Sequence, residues 1–346
     1  MIYGAYGYTG ALIAREAVAR GTRPVLAGRD AGKVGTLGGE LALQGRCFGL
    51  DDPAVLREGL VGLTLVLHCA GPFSATARPM MAACLEAGVH YLDITGEIDV
   101  FEHAHALHAR AQSAGVLLCP GVGFDVVPTD CLAMALQDAL PGATRLALGF
   151  DTHGRLSPGT AKTSLEGLAK GGCVRRGGRL ERVPLAYHTR RIDFGAGEKL
   201  AMTIPWGDVA TAFHTTGIPD VEVYIPASPR LVSRLRRLNY VRPLLGLGLV
   251  QRWLSRRVER TVRGPDEAER ARAPTYLWGE AVDPEGRTVT GRLQVANGYD
   301  VTIDAALGVV ARVLGGDAPA GHLTPARLMG PEFVSTLPGS GPLFIA

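Results

Sequence analysis

The sequence predicts an α/β protein: an N-terminal Rossmann-type domain with a parallel sheet, then a second α+β domain with a mostly antiparallel sheet. Three observations carry this. Over the first 130 residues, short apolar runs alternate with stretches of helical periodicity, the pattern of parallel strands joined by right-handed crossovers. A glycine triplet, "GAYGYTG" at 4–10, follows the first apolar run and opens the first helical stretch. Beyond Pro128 the chain changes to strands with polar alternation and glycine hairpins.

The elements follow in order. "MIY" leads into the glycine turn, and "TGALIAREAVARG" places apolar residues at helical spacing up to Gly21. "RPVLAGRD" and "RCFGLDD" are the second and third strands. "LTLVLHCAGPF" is the fourth, apolar through most of its length, as in a strand covered on both faces. "ARPMMAACLEAG" is a helix, "VHYLDITGE" the fifth strand, "VFEHAHALHARAQSAG" a single helix, and "VLLCPGVGFD" a sixth strand running into a loop. "TDCLAMALQDAL" reads as a helix opening at Thr129. "TRLALGFD", "CVRRGGRLERVPL", "VEVYIPA" and "TYLWGEAVDPEGRTVTGRLQV" read as strands, the last pair turning at Asp283–Gly286. "DVTIDAALGVVARVLGG" is a closing helix ended by glycines. The domains are therefore 1–128 for the nucleotide and 129–300 for the substrate, with 301–346 a closing helix and tail that packs back on the first domain.

Composition bounds the class. With 346 residues the chain is long enough for two cores, and 47% apolar residues can fill them. The six cysteines are never closer than 12 residues, so no CxxC pair for zinc or redox exchange exists. The start lacks the basic and apolar regions of a signal peptide, and no window of 18 apolar residues occurs. These features predict a cytoplasmic protein, with a membrane-peripheral location as the alternative.

The spacing of the triplet is GxxGxxG. Gly4 permits the tight turn, Gly7 lets backbone approach a pyrophosphate, and Gly10 lets the helix pack against the sheet. The helix N-terminus then offers N–H groups and partial positive charge to the phosphates. Tyr6, Tyr8 and Thr9 fill the intervening positions. Arg29 lies nineteen residues past Gly10, where an acidic residue would bind the ribose 2′-hydroxyl of NAD. A guanidinium there suits a 2′-phosphate, so NADP(H) is the expected cofactor. The competing reading places Asp30 at the ribose. Asp51, at the end of the third strand, is expected at the adenine edge. Ala70, Gly71, Pro72 and Phe73 form the loop expected beside the nicotinamide.

The motifs "GAYGYTG", "AGR", "CAGPF", "GVHYLDITGE" and "PGVGFDVVPTD" together resemble the saccharopine dehydrogenase-like superfamily. "GTAKTSLEG", "WGDVATAFHTTGIPDVEVY", "YLWGEAV", "GYDVTIDAALGVVARVL" and "HLTPARLMG" look most like its trans-acting enoyl reductase branch. That resemblance implies an NADP-binding Rossmann domain, a substrate domain on an antiparallel sheet, and reduction of carbon–carbon double bonds in lipid or polyketide intermediates. A saccharopine dehydrogenase-type amino-acid dehydrogenase and a non-catalytic NADP-binding protein are the alternatives.

Enoyl reduction needs a donor for the developing enolate oxygen and a proton for the α-carbon. The site is expected outside the C-terminal strand ends, at the loops 69–74, 93–97 and 120–128. Candidate catalytic groups are Asp125, Lys162 and Tyr91. Asp125 competes with Thr129 for a capping role, Lys162 with an ordinary solvated lysine, and Tyr91 with packing beside Asp93. Glu97 suits a domain–domain contact better than catalysis. His103, His105 and His108 invite a metal reading, but at about 100° per residue only His105 and His108 share a face, so no metal site is expected.

Residues 229–263 hold ten arginines and one glutamate, a local charge of +9 against +3 for the whole chain. Interleaved with Leu, Trp and Tyr, this stretch suits an anionic membrane surface, an acidic acyl carrier protein, or a homodimer contact. No nucleic-acid module accompanies it. The expected substrate is a small molecule or an acyl thioester.

Overall fold

The computed structural model describes residues 1–152, 167–195, 197–242, 266–271 and 273–346, together with 250, 257 and 261. The chain divides into two compact units: Met1–Val127 with Tyr299–Met329, and Pro128–Gly298 with Gly330–Ala346. Residues 301–346, expected as one closing segment, are thus divided between the units after Met329.

The first unit is built on β1 (Ile2–Tyr3), β2 (Leu26–Gly28), β3 (Gly45–Cys47), β4 (Leu65–His68), β5 (His90–Asp93) and β6 (Leu117–Cys119). A seventh strand, Gly321–His322, has no sequence signature, because two residues show no periodicity. The spatial order is Gly321–His322, β6, β5, β4, β1, β2, β3, and every neighbouring pair is parallel. The order reverses between β1 and β4, and ligands of doubly wound sheets bind at such a switch point. All four residues of β4 are buried, as its unbroken apolar run requires.

The helices α1 (Tyr8–Ala19), α2 (Ala31–Leu41), α3 (Pro53–Leu60) and α4 (Phe73–Ala87) connect the first five strands. In α1 the buried Ile13, Ala14 and Ala17 recur at helical spacing and face the sheet. Asp30 caps α2 by accepting from Lys33 N at 3.0 Å, and Asp52 caps α3 by accepting from Ala54 N at 2.8 Å. The expected single helix over 100–115 is two, α5 (Ile98–Ala106) and α6 (His108–Ala114), broken at Leu107. Helix Gly298–Leu314 begins two residues before its predicted start.

The second unit opens on α7 (Val127–Ala139), which starts two residues before Thr129. Pro128 sits in its first turn, where a missing N–H removes no intrahelical bond. The strands are β7 (Arg145–Thr152), β8 (Gly172–Arg176), β9 (Arg179–Val183), β10 (Thr189–Asp193), β11 (Glu198–Thr203), β12 (Asp220–Pro226), β13 (Thr275–Val282) and β14 (Thr288–Val295), with Phe344–Ile345 at one edge. Their order is β10, β11, β12, β7, β13, β14, Phe344–Ile345, while β8 pairs with β12 and β9. β12 with β7 is the parallel pair in an otherwise antiparallel sheet. Thr129, expected as a helix cap, instead donates its hydroxyl to Asp208 Oδ1 at 2.6 Å from inside α7.

Candidate functional site

Four loops leave the C-terminal ends of β1, β4, β5 and β6, and direct contacts link them. Gly4 takes φ +79°, and a Cβ there would lie 2.8 Å from both N and Cβ of Ala70. The turn after β1 therefore rests on the loop after β4. A Cβ on Gly10 would lie 2.4 Å from Gly4 O, a backbone atom that cannot step aside. Gly7 N donates to Gly4 O at 3.0 Å, and α1 begins at the next residue. Gly7 is the N-cap, and no side chain caps this helix, in contrast to α2 and α3. Its first-turn amides lack intrahelical acceptors and suit an anion.

The loop after β2 carries Arg29 and Asp30. Asp30 is committed to α2: Oδ1 accepts from Lys33 N, and Oδ2 lies 3.6 Å from Lys33 Nζ. Arg29 is exposed and has no hydrogen bond or salt bridge among the described residues. Its fork is available to a phosphate, whereas the neighbouring acid is occupied. Tyr6 lies against Gly28, where a Cβ would meet its Cε1 at 2.5 Å, and Lys33 Nζ stands 5.5 Å from the Tyr6 ring centroid. Tyr8 packs edge-on against Tyr299 at 5.0 Å, tying α1 to the closing helix.

A run of acids organises the other loops. Asp93, fully buried at the end of β5, accepts from Tyr91 Oη at 2.6 Å, Thr95 N at 2.9 Å and Gly121 N at 2.8 Å. It thereby joins the loops after β5 and β6. Burial pushes its carboxyl up to about 6, against the pull of those three donors. Glu97 accepts from Phe73 N at 2.9 Å and Ser74 N at 2.7 Å, so its carboxylate covers the N-terminus of α4. Asp125 is half-buried and lies against Gly96, where a Cβ would sit 2.7 Å from its Oδ2. Burial, reinforced by the charge of Glu97, pushes the Asp125 carboxyl up to about 7. Phe124 N donates to Thr302 Oγ1 at 3.0 Å, which props this loop on the closing helix.

Comparison with known proteins agrees with this geometry. The sequence profile of the saccharopine dehydrogenase NADP binding domain matches residues 1–119. Over residues 1–119 the chain is similar to this family. A saccharopine dehydrogenase-like oxidoreductase of Rattus norvegicus is 30% identical over 134 residues, covering 37% of this chain and 31% of that protein. A trans-acting enoyl reductase of Mycobacterium ulcerans (strain Agy99) is 30% identical over 138 residues, covering 38% and 33%. The chain thus spans about a third of the length of these curated relatives. Across the whole chain the fold matches apo saccharopine dehydrogenase (L-Glu forming) from Saccharomyces cerevisiae, with TM-score 0.70, 11% identity, and coverage of 100% and 99%.

Within the NADP-binding domain, Gly4, Tyr6, Gly7, Arg29, Ala70, Gly71 and Pro72 lie in the loops after β1, β2 and β4, while Tyr8, Thr9 and Gly10 form the first turn of α1. Phe73 is the first residue of α4 rather than part of the loop. Two assignments need correction. Tyr91 is fully buried in the core, and its hydroxyl serves Asp93, so it is structural and does not face substrate. Asp51 does not end the third strand: β3 stops at Cys47, and Asp51 is an exposed residue just before the Asp52 cap. Lys162 lies outside the described residues. Glu97, expected at a domain contact, caps α4 within its own unit. His108 Nδ1 accepts from His322 N at 3.1 Å, and no three metal-ligating side chains cluster among the described residues. The connecting role of Asp93 was missed, although its place at a strand end beside two loops was a signal.

Two outcomes follow. Gly10→Ala drives a methyl into Gly4 O, so dinucleotide binding measured by calorimetry is lost and stability falls by about 1–3 kcal/mol. The raised carboxyls of Asp93 and Asp125 hold protons in the folded state that the unfolded chain releases. Their stabilisation is complete below the usual carboxylate range and is lost as pH rises through about 6 and 7. Asp125→Asn removes one of these protons, so its melting temperature relative to the parent increases between about pH 5 and pH 8.

Proposed function

We propose that the protein is an NADPH-dependent reductase of carbon–carbon double bonds in enoyl thioesters of lipid or polyketide type. The observation that carries the reading is a carboxyl proton held near neutrality beside the switch-point loops. Asp125, next to Glu97, has its carboxyl pushed up to about 7, and a general acid works best near the operating pH. The likeness of the first 119 residues to NADP-binding domains and of a similar stretch to a trans-acting enoyl reductase supports it. When bound, NADPH supplies hydride.

The roles of the chain's own groups follow. The uncapped α1 amides and the Gly4–Gly10 turn hold the diphosphate, and Arg29 holds the 2′-phosphate. Glu97 occupies the α4 amides, and its charge reinforces the burial that keeps Asp125 protonated. Asp125 delivers its proton to the substrate as negative charge develops there. This acid must be protonated, so turnover falls as pH rises through about 7. A chain-length series of enoyl thioesters, followed by NADPH absorbance, should show turnover that Asp125→Asn lowers by roughly 10²-fold or more. No turnover across the series overturns the reading, and turnover with a 2-oxoacid plus an amino acid reassigns it to amine chemistry. Arg29→Ala should weaken NADPH at least about tenfold and leave NADH nearly unchanged.

The arginine-rich stretch 229–263 falls partly outside the described residues. Its described part, the helix Pro229–Leu238 with the residues to Arg242, contains no acid. Val232 seats the helix on the second unit beside Met202 and Ala227. Arg230, Arg234 and Arg237 are exposed, and so are Leu231, Val241 and Tyr240, the last at 88%. Cations interleaved with exposed apolar groups suit an anionic lipid surface better than an acidic protein. Cosedimentation with phosphatidylserine vesicles but not phosphatidylcholine vesicles is expected, and R230E/R234E/R237E abolishes it. No cosedimentation overturns this surface, and retention on an acyl carrier protein instead reassigns it.

A further inference from the structure

His68 is the last residue of β4, fully buried and ringed by Tyr3, Phe73 and Tyr91 at centroid distances of 5.4, 5.5 and 6.2 Å. Its Nε2 lies 2.9 Å from Thr76 Oγ1 in the first turns of α4. That hydroxyl lies 2.7 Å from Ala70 O and 3.1 Å from Pro72 O. A hydroxyl has one proton, and carbonyls only accept, so Thr76 donates to the loop and accepts from His68. His68 therefore carries its proton on Nε2. Its bare Nδ1 is buried with no partner among the described residues, an arrangement that is destabilising. Burial also pushes the ring down to about 3, so it stays neutral.

In that aromatic cage a leucine would be buried at lower cost. The imidazole is explained by the one bond it donates, and the chain of donors ends on Ala70. Ala70 is also the residue on which Gly4 rests. We propose that His68 is a positioning residue: through Thr76 it sets the loop Ala70–Pro72 against the glycine turn, and so controls the affinity for the nicotinamide dinucleotide. The inference rests on the assignment of this unit as an NADP-binding domain.

The test measures NADPH dissociation constants by fluorescence and the melting temperature of the cofactor-free protein. His68→Leu and Thr76→Val should each weaken NADPH about tenfold, and the double variant no more than either alone. His68→Gln keeps an amide N–H at the Nε2 position and Thr76→Ser keeps the hydroxyl, so both should stay within about threefold of the parent. His68→Leu should melt no lower than the parent, because it removes an unpaired acceptor; a purely structural histidine would give a lower melting point. Affinities unchanged in His68→Leu and Thr76→Val overturn the inference, as does a Gln variant as weak as the Leu variant. Should His68→Leu not fold, Thr76→Val against Thr76→Ser decides alone. A parent chain that binds no NADPH removes the cofactor assignment itself, whereas parent binding with insensitive variants removes only His68.

Discussion

The contact on which the nucleotide unit depends is the meeting of Gly4 with Ala70. Two loops from the strands that flank the switch point pass so close that no side chain fits between them. Gly4 accepts this because it lacks Cβ and adopts φ +79° without strain. Once it does, Gly10 must be bare as well, since the helix comes back over Gly4 O. The rest of the cradle follows from backbone alone: α1 opens at Gly7 without a side-chain cap, so its first-turn amides lack intrahelical acceptors.

Around that contact, acids do different work according to what each can reach. Asp30 and Asp52 cap helices and are spent on backbone amides. Glu97 does the same for α4, but from a different strand end, so it also locks two loops together. Asp93 stitches the loops after β5 and β6 through three donors. Asp125 lies where burial and the nearby Glu97 charge both oppose ionisation. Perturbed carboxyls of this kind mark functional sites more often than surface acids do.

Much of this was legible in the residues. The strand–glycine turn–helix of 1–19, the buried run of β4 and the hairpin turn at Asp283–Gly286 are local signals, and each formed where its pattern pointed. Arg29 was legible too, because its place is a fixed distance along a βαβ unit. The strands β10 and β11, the helix Asp208–Thr216 and the strand Gly321–His322 were not, since short elements with weak periodicity are decided by their neighbours. Tyr91 looked catalytic because a tyrosine near a strand end can be; its complete burial is a tertiary fact.

Local chemistry alone therefore set the nucleotide fold, its glycine turn and the place of Arg29 after β2, because these rest on backbone geometry and on residues close in sequence. Only the folded chain decided which acid caps, which one keeps its proton, and that His68 reaches the loop through Thr76. Those outcomes depend on desolvation and on contacts between segments such as Gly96 with Asp125 or Glu97 with Ser74. Neither a spacing nor a propensity encodes how much water a side chain loses or which distant amide it meets.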